Sequence, residues 1–253
     1  TLSGNYLEPN ILAVVPKPEA RELFLLVHDA NGGSSVKLSS WNGTKQKTIF
    51  TSPLSGWKLF PLSDGRIFLS LLPSDDASGF AFEIKNGVLI PRLRDILGLT
   101  FLPRPSSNAV LFGQSGGEDV SLFYSPKEGA RAEYFPIKTV ADKCVWAETI
   151  PVSASGKKTK VADTGSLIAY CAVPQYFISK TFLSDWYRGV VHTSDTWWRI
   201  DAGTGQVTPL LGHGDTDQTF DVENPTIDGA GEQIAFMDAK DKSLWLLQIS
   251  VKE

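Results

Sequence analysis

The chain of 253 residues carries 24 Lys and Arg against 28 Asp and Glu, a formal charge of −4, with 42% hydrophobic and 21% charged residues. This balance argues against intrinsic disorder, and the lack of a long basic run argues against the positive stripe by which nucleic-acid binders displace counterions. No apolar run approaches the roughly 20 residues of a bilayer-spanning helix, so no membrane span is expected within the chain.

In chain order, the predicted elements recur as strand, turn and strand. The first group is Ile11 to Val15, Glu22 to Val27, Ser35 to Trp41 and Lys47 to Phe50, divided by Asn31-Gly32-Gly33 and Asn42-Gly43 turn signals. Asn42-Gly43-Thr44 is also a glycosylation sequon, but its reading here is a hairpin turn. The second group takes Trp57 to Pro61, Arg66 to Leu72, Phe80 to Ile84 and Val88 to Leu93, with Ser63-Asp64-Gly65 and Asn86-Gly87 between strands. The third takes Thr100 to Leu102, Ala109 to Phe112, Val120 to Tyr124 and Tyr134 to Ile137. Within it, Gly113-Gln114-Ser115-Gly116-Gly117 matches the G-x-S-x-G nucleophile elbow, yet a strand precedes it and another follows. A hairpin is therefore expected rather than the strand-to-helix turn the chemistry needs.

Group starts near Ile11, Trp57, Leu99 and Cys144 are about 42 to 46 residues apart, the size of a four-stranded propeller blade. The next start, near Phe220, is delayed, so the fourth group carries an insertion. The fold class expected is all-β: a β-propeller of four-stranded antiparallel blades, with about five visible and a larger ring possible. The blades lie near 11–52, 56–95, 98–140, 143–212 (insertion about 174–196) and 219–253 of one propeller domain. Each blade has two apolar faces and buries them by stacking on its neighbours. Consecutive Trp197 and Trp198 then point to opposite faces and are both expected to be buried, the alternative being one exposed ligand platform.

Cys144 and Cys171 both lie in apolar segments. Paired as arms of one hairpin, they put the turn at Lys157-Lys158, within a polar stretch, and bring the two Cα atoms within disulfide range. A disulfide and two buried thiols both fit; the disulfide would favour an extracytoplasmic setting. The chain begins with Thr1, and Thr1 to Asn10 lack signal-peptide character, so an anchor or leader preceding Thr1 is also considered.

The last group reads Pro225-Thr226-Ile227-Asp228-Gly229, Gln233 to Asp238, and Leu244-Trp245-Leu246-Leu247-Gln248-Ile249. It resembles the WD40-like repeat of TolB-type propellers. Such a three-stranded blade implies completion by a strand from elsewhere, with Thr1 to Asn10 one source. Cys144-Val145-Trp146, Tyr170-Cys171-Ala172-Val173-Pro174, Asp185-Trp186-Tyr187-Arg188-Gly189 and Trp198-Arg199-Ile200-Asp201 are similar to a pattern in surface propellers of small-genome bacteria. That resemblance covers roughly the C-terminal 110 residues and implies a fold, not an activity.

No catalytic residue, metal site or cofactor is expected. His28, His192 and His213 have no local nucleophile, and no zinc spacing occurs. The acidic stretch Asp215, Asp217, Asp221 and Glu223 reads as a solvated loop with turn-capping aspartates, with calcium as the other reading. The candidate partner-binding residues lie in the fourth-group insertion: Tyr176, Phe177, Asp185, Trp186, Tyr187 and Arg188, because aromatic and Arg side chains dominate binding hot spots. The competing reading is a loop that caps a blade edge with its own aromatics. The function expected is a non-enzymatic, extracytoplasmic module (cell surface, periplasmic or secreted) that binds another protein or itself through loops, with surface polysaccharide a further possible partner. The alternative is a carbohydrate-binding or glycoside-hydrolysing propeller, which requires only two suitably spaced carboxylates.

Overall fold

A computed structural model describes residues 10–18, 20–115, 119–147, 167–176, 180–212, 215 and 217–249. The described strands form five consecutive antiparallel sheets, the blades of a β-propeller, four with four strands and the last with three. Each is a meander in which neighbours in sequence are neighbours in the sheet. This suits short Gly- and Asn-rich turns, since two-residue hairpins can join only antiparallel strands.

The chain divides into two compact units. The first comprises residues 1–72 and 78–96 and holds two sheets. Its strands are β1 (Ile11–Pro16), β2 (Glu22–His28), β3 (Ser34–Ser40) and β4 (Lys47–Ser52), then β5 (Trp57–Pro61), β6 (Ile67–Leu71), β7 (Ser78–Lys85) and β8 (Val88–Leu97). Phe24, Leu26 and Val36 of one sheet pack with Trp57, Leu59, Leu69 and Ile84 of the other. At the β7–β8 turn, Asn86 and Gly87 both have positive φ (54° and 76°), the geometry that Asn-Gly favours in a hairpin. Strand β8 runs past the expected Leu93 to Leu97. It contains Pro91, which an edge strand tolerates because one of its sides has no ladder to donate to.

The second unit comprises residues 73–77 and 97–253. Its first sheet contains β9 (Thr100–Pro103), β10 (Val110–Ser115), β11 (Val120–Ser125) and β12 (Glu133–Phe135). A 3-10 turn, Ala141–Lys143, leads into β13 (Cys144–Trp146), β14 (Ile168–Pro174), β15 (Asp195–Asp201) and β16 (Gln206–Leu211). The last sheet is β17 (Val222–Ile227), β18 (Gln233–Asp238) and β19 (Leu244–Gln248). Any contribution from residues 1–9 lies outside the described residues.

Strand β14 is buried along its whole length, as a central strand covered on both faces must be. Its side chains alternate between two cores. Cys171 and Ala169 join Leu111, Leu122, Phe135 and Trp146, whereas Tyr170 and Ala172 join Phe220, Val222 and Phe236. Trp197 and Trp198 divide in the same way: Trp197 lies in the second core, and Trp198 packs against the first. Cys144 is paired with Cys171 in the β13–β14 register and the two form a disulfide. The turn expected at Lys157-Lys158 lies outside the described residues.

Gly113, Gln114 and Ser115 of the G-x-S-x-G segment lie in a hairpin arm. Ser115 is buried, ends β10 and pairs with Val120 of β11, while Gly116 and Gly117 lie outside the described residues. Gly113 has a packing reason: a Cβ there would come within 2.3 Å of Thr100 Oγ1, which accepts the Ala141 backbone N–H at 2.9 Å. At Asn42-Gly43-Thr44, Gly43 has φ 78°, and the Asn42 side-chain amide oxygen (Oδ1) accepts the Thr44 N–H and hydroxyl.

Candidate functional site

The insertion leaves the fourth sheet after Pro174 and returns at Asp195, closed at its base by the Gln175 N–H donating to the Ser194 carbonyl. Among its described residues it contains one helix, α1 (Phe182–Tyr187), where the sequence suggests a loop. Six residues are too few for a helix to hold itself, because nucleation costs more than one turn returns. Burial holds it: Phe182, Leu183 and Trp186 pack with Val120 and Val140, each contributing about 1.5–3 kcal/mol. The Asp75 carboxylate, from outside the insertion, accepts the Leu183 and Ser184 N–H groups at 3.2 and 2.8 Å. At the other end the Gly189 N–H donates to the Trp186 carbonyl and the Val190 N–H to the Asp185 carbonyl. With Gly189 at φ 69°, this is a Schellman stop, which the Arg188-Gly189 sequence signals.

Beneath α1 lies a buried polar hub. Lys143 is fully buried, and its Nζ donates to Thr193 Oγ1 (2.9 Å), Asp195 Oδ2 (2.6 Å), Asp221 Oδ1 (2.7 Å) and the Val222 carbonyl (3.1 Å). The Trp186 ring lies 4.7 Å from the same nitrogen. Asp221 also accepts the Trp186 indole N–H and the Thr193 hydroxyl, both at 2.8 Å, and pairs through Oδ2 with His192 Nδ1 at 2.9 Å. Its backbone N–H donates to Asp238, and the Val222 N–H donates to Asp195 Oδ2. Burial alone would raise the Asp221 carboxyl. The charge of Lys143 and hydrogen bonds from Lys143, Trp186 and Thr193 outweigh it and hold the group at about 2. Among the described residues, Asp195 Oδ1 is buried without a hydrogen-bond partner.

The hub divides the candidate residues by role. Trp186 is 8% exposed and faces inward, so it anchors the insertion instead of offering a free contact. Tyr187 likewise donates its hydroxyl to Asp142 Oδ2 at 2.5 Å, and burial pushes its phenol well up. Asp185 is tied to Thr181 and Arg188. Tyr176 at 63% and the Arg188 side chain at 66% remain outward, and Val190 is exposed as well. Phe177 lies outside the described residues. The loop that caps with its own aromatics and the loop that presents a surface are thus two sides of one segment.

Sequence reading missed Lys143, Thr193 and Asp195, and it placed Asp221 in a solvated acidic loop. Asp221 is instead fully buried, because Lys143, 78 residues earlier, supplies the counter-charge. Asp215 does cap a turn, accepting the Gly212 N–H, and Glu223 pairs with Lys242. Among the described residues no group of three His, Cys, Asp or Glu is placed to hold a metal. No helix of the described residues is long and apolar enough to cross a membrane.

No family model and no curated protein matches the chain. Solved structures do. TolB from Acinetobacter baumannii is similar at 14% identity and TM-score 0.51, over 93% of this chain and 55% of that one. A nidogen/laminin complex matches at 10% identity and TM-score 0.57, over 96% of this chain and 77% of that one. The β-propeller domain of the Trilobed protease from Pyrococcus furiosus matches at 10% identity and TM-score 0.55, over 96% and 69%. The chain therefore spans about half the length of the TolB structure. Identities this low establish the architecture alone: the chain has a β-propeller fold similar to TolB.

Proposed function

We propose that the chain is a non-catalytic, extracytoplasmic protein-interaction module whose contact surface is the outer side of the fourth-blade insertion. The observation that carries this reading is the asymmetry of the insertion. Its inner side is fixed by Phe182, Leu183, Trp186 and the Lys143 hub, while Tyr176, Arg188 and Val190 point outward. Fixing a surface before binding removes much of the ordering cost that otherwise opposes association. Tyr and Arg also combine contact area with hydrogen bonding, which is why they are enriched at interface hot spots. The Cys144–Cys171 disulfide supports the compartment, since such bonds persist where thiols are oxidised. That the fold also occurs in a nidogen/laminin complex is consistent with partner binding.

Cross-linking mass spectrometry on the protein in its native source tests the proposal. Links from the insertion to one recurrent partner, weakened at least tenfold in a Tyr176→Ala/Arg188→Ala variant of unchanged melting temperature, support it. Absence of specific links at the insertion, with turnover of a glycan by the isolated chain, overturns it.

A further inference from the structure

The Lys143 hub places one ammonium against two carboxylates, all three side chains fully buried. Asp221 also meets His192, and among the described residues Asp195 Oδ1 has no hydrogen-bond partner. An unpaired buried polar atom costs about 1–3 kcal/mol and calls for an explanation in a native structure. The two oxygens of Asp195 differ in a way that suggests one. Oδ2 accepts both Lys143 Nζ at 2.6 Å and the Val222 N–H at 2.8 Å, whereas Oδ1 has no hydrogen-bond partner among the described residues. Asp221 Oδ1 sits on the same amine at 2.7 Å, placed to take protons from it.

We propose that Lys143 and Asp195 condense into an intramolecular isopeptide bond, with Asp221 as the proton shuttle. Lys143 Nζ gives up two of its three ammonium protons and bonds to Asp195 Cγ. The Cγ–Oδ1 bond breaks, and Oδ1 leaves as water with both protons, relayed through Asp221. Nothing is oxidised or reduced, and no co-reactant enters. Oδ2 becomes the amide oxygen and keeps the Val222 N–H, while the remaining amide N–H stays on Asp221.

The burial that makes this ion pair expensive favours the condensed state. Two opposite charges become one neutral amide, and the oxygen that lacked a donor is the one that departs. Asp221 loses Lys143 as its counter-charge but retains the donors Trp186 and Thr193 together with its His192 contact. The Trp186 ring over Nζ keeps bulk water from the reacting atoms.

The test is the intact mass of the full wild-type chain, denatured and reduced, followed by peptide mapping. The expected result is a deficit of one water, about 18 Da, and a branched peptide joining Lys143 to Asp195. Lys143→Arg and Asp195→Ala are expected at their full sequence masses. Asp221→Ala retains both reactants and is expected to remain at least 90% uncondensed. A wild-type chain at its full sequence mass overturns the proposal, as does a water loss that survives in Lys143→Arg. The first reading needs no variant to fold.

Discussion

At Gly113 a single missing Cβ decides whether Thr100 can reach across to the Ala141 N–H. Gly113→Ala is expected to lower stability by about 1–3 kcal/mol, the usual cost of overpacking, read as a shifted urea midpoint, because the Thr100 hydroxyl must move. Asp221 gives a second expectation. Its folded value of about 2 lies below the unfolded carboxyl near 3.9, so the unfolded chain binds more protons between them. The stabilisation is therefore fully present above about pH 4 and lost as pH falls through about 2. With Lys143 as an ammonium, urea midpoints from pH 5 to pH 2 are expected to show a loss of about 2 kcal/mol that Asp221→Asn lacks. A chain carrying the Lys143–Asp195 amide has no cation there, and its acid loss is smaller.

Among the elements, the short strand β13 depends most on a covalent tie. It has three residues, and its pairing with β14 includes the Cys144–Cys171 disulfide, which closes a loop of sequence separation 27. Loop closure on that scale stabilises by about 3–4 kcal/mol through restriction of the unfolded chain. The Cys144→Ser/Cys171→Ser double variant is expected to lose that amount in urea unfolding, and the loss bears on Lys143 because it immediately precedes the bridge. Helix α1 is tied by its surroundings: Asp75 at its start, Gly189 at its stop and Trp186 against Asp221.

For the whole molecule, stability and partner contact are expected to separate. Tyr176 and Arg188 are exposed, and surface substitutions away from caps and buried groups usually change stability by less than about 0.5 kcal/mol. Tyr176→Ala/Arg188→Ala should therefore leave thermal unfolding unchanged while weakening capture of the cross-linked partner. Trp186→Ala should disturb both, since it removes a buried ring as well as an indole donor to Asp221.

Much of the architecture is local and was legible from the residues. Asn86-Gly87 specifies its hairpin through positive φ, and the blade period follows from strand length plus turn length. Cys144 and Cys171 indicate their register by their distance from a polar turn. That Trp197 and Trp198 face opposite cores follows from the two-residue period of a strand, although only Trp197 is fully buried and Trp198 is half-buried against the first core. The hub was not legible, because its charges come from positions 143, 195 and 221, and no local pattern marks a lysine or an aspartate as buried. Nor did the sequence divide Trp186 from Tyr176, since aromatic residues serve equally as anchors and as contacts. Tertiary packing alone assigned one to the inside and the other to the outside: the Trp186 indole meets the buried Asp221, and Tyr176 lies 63% exposed.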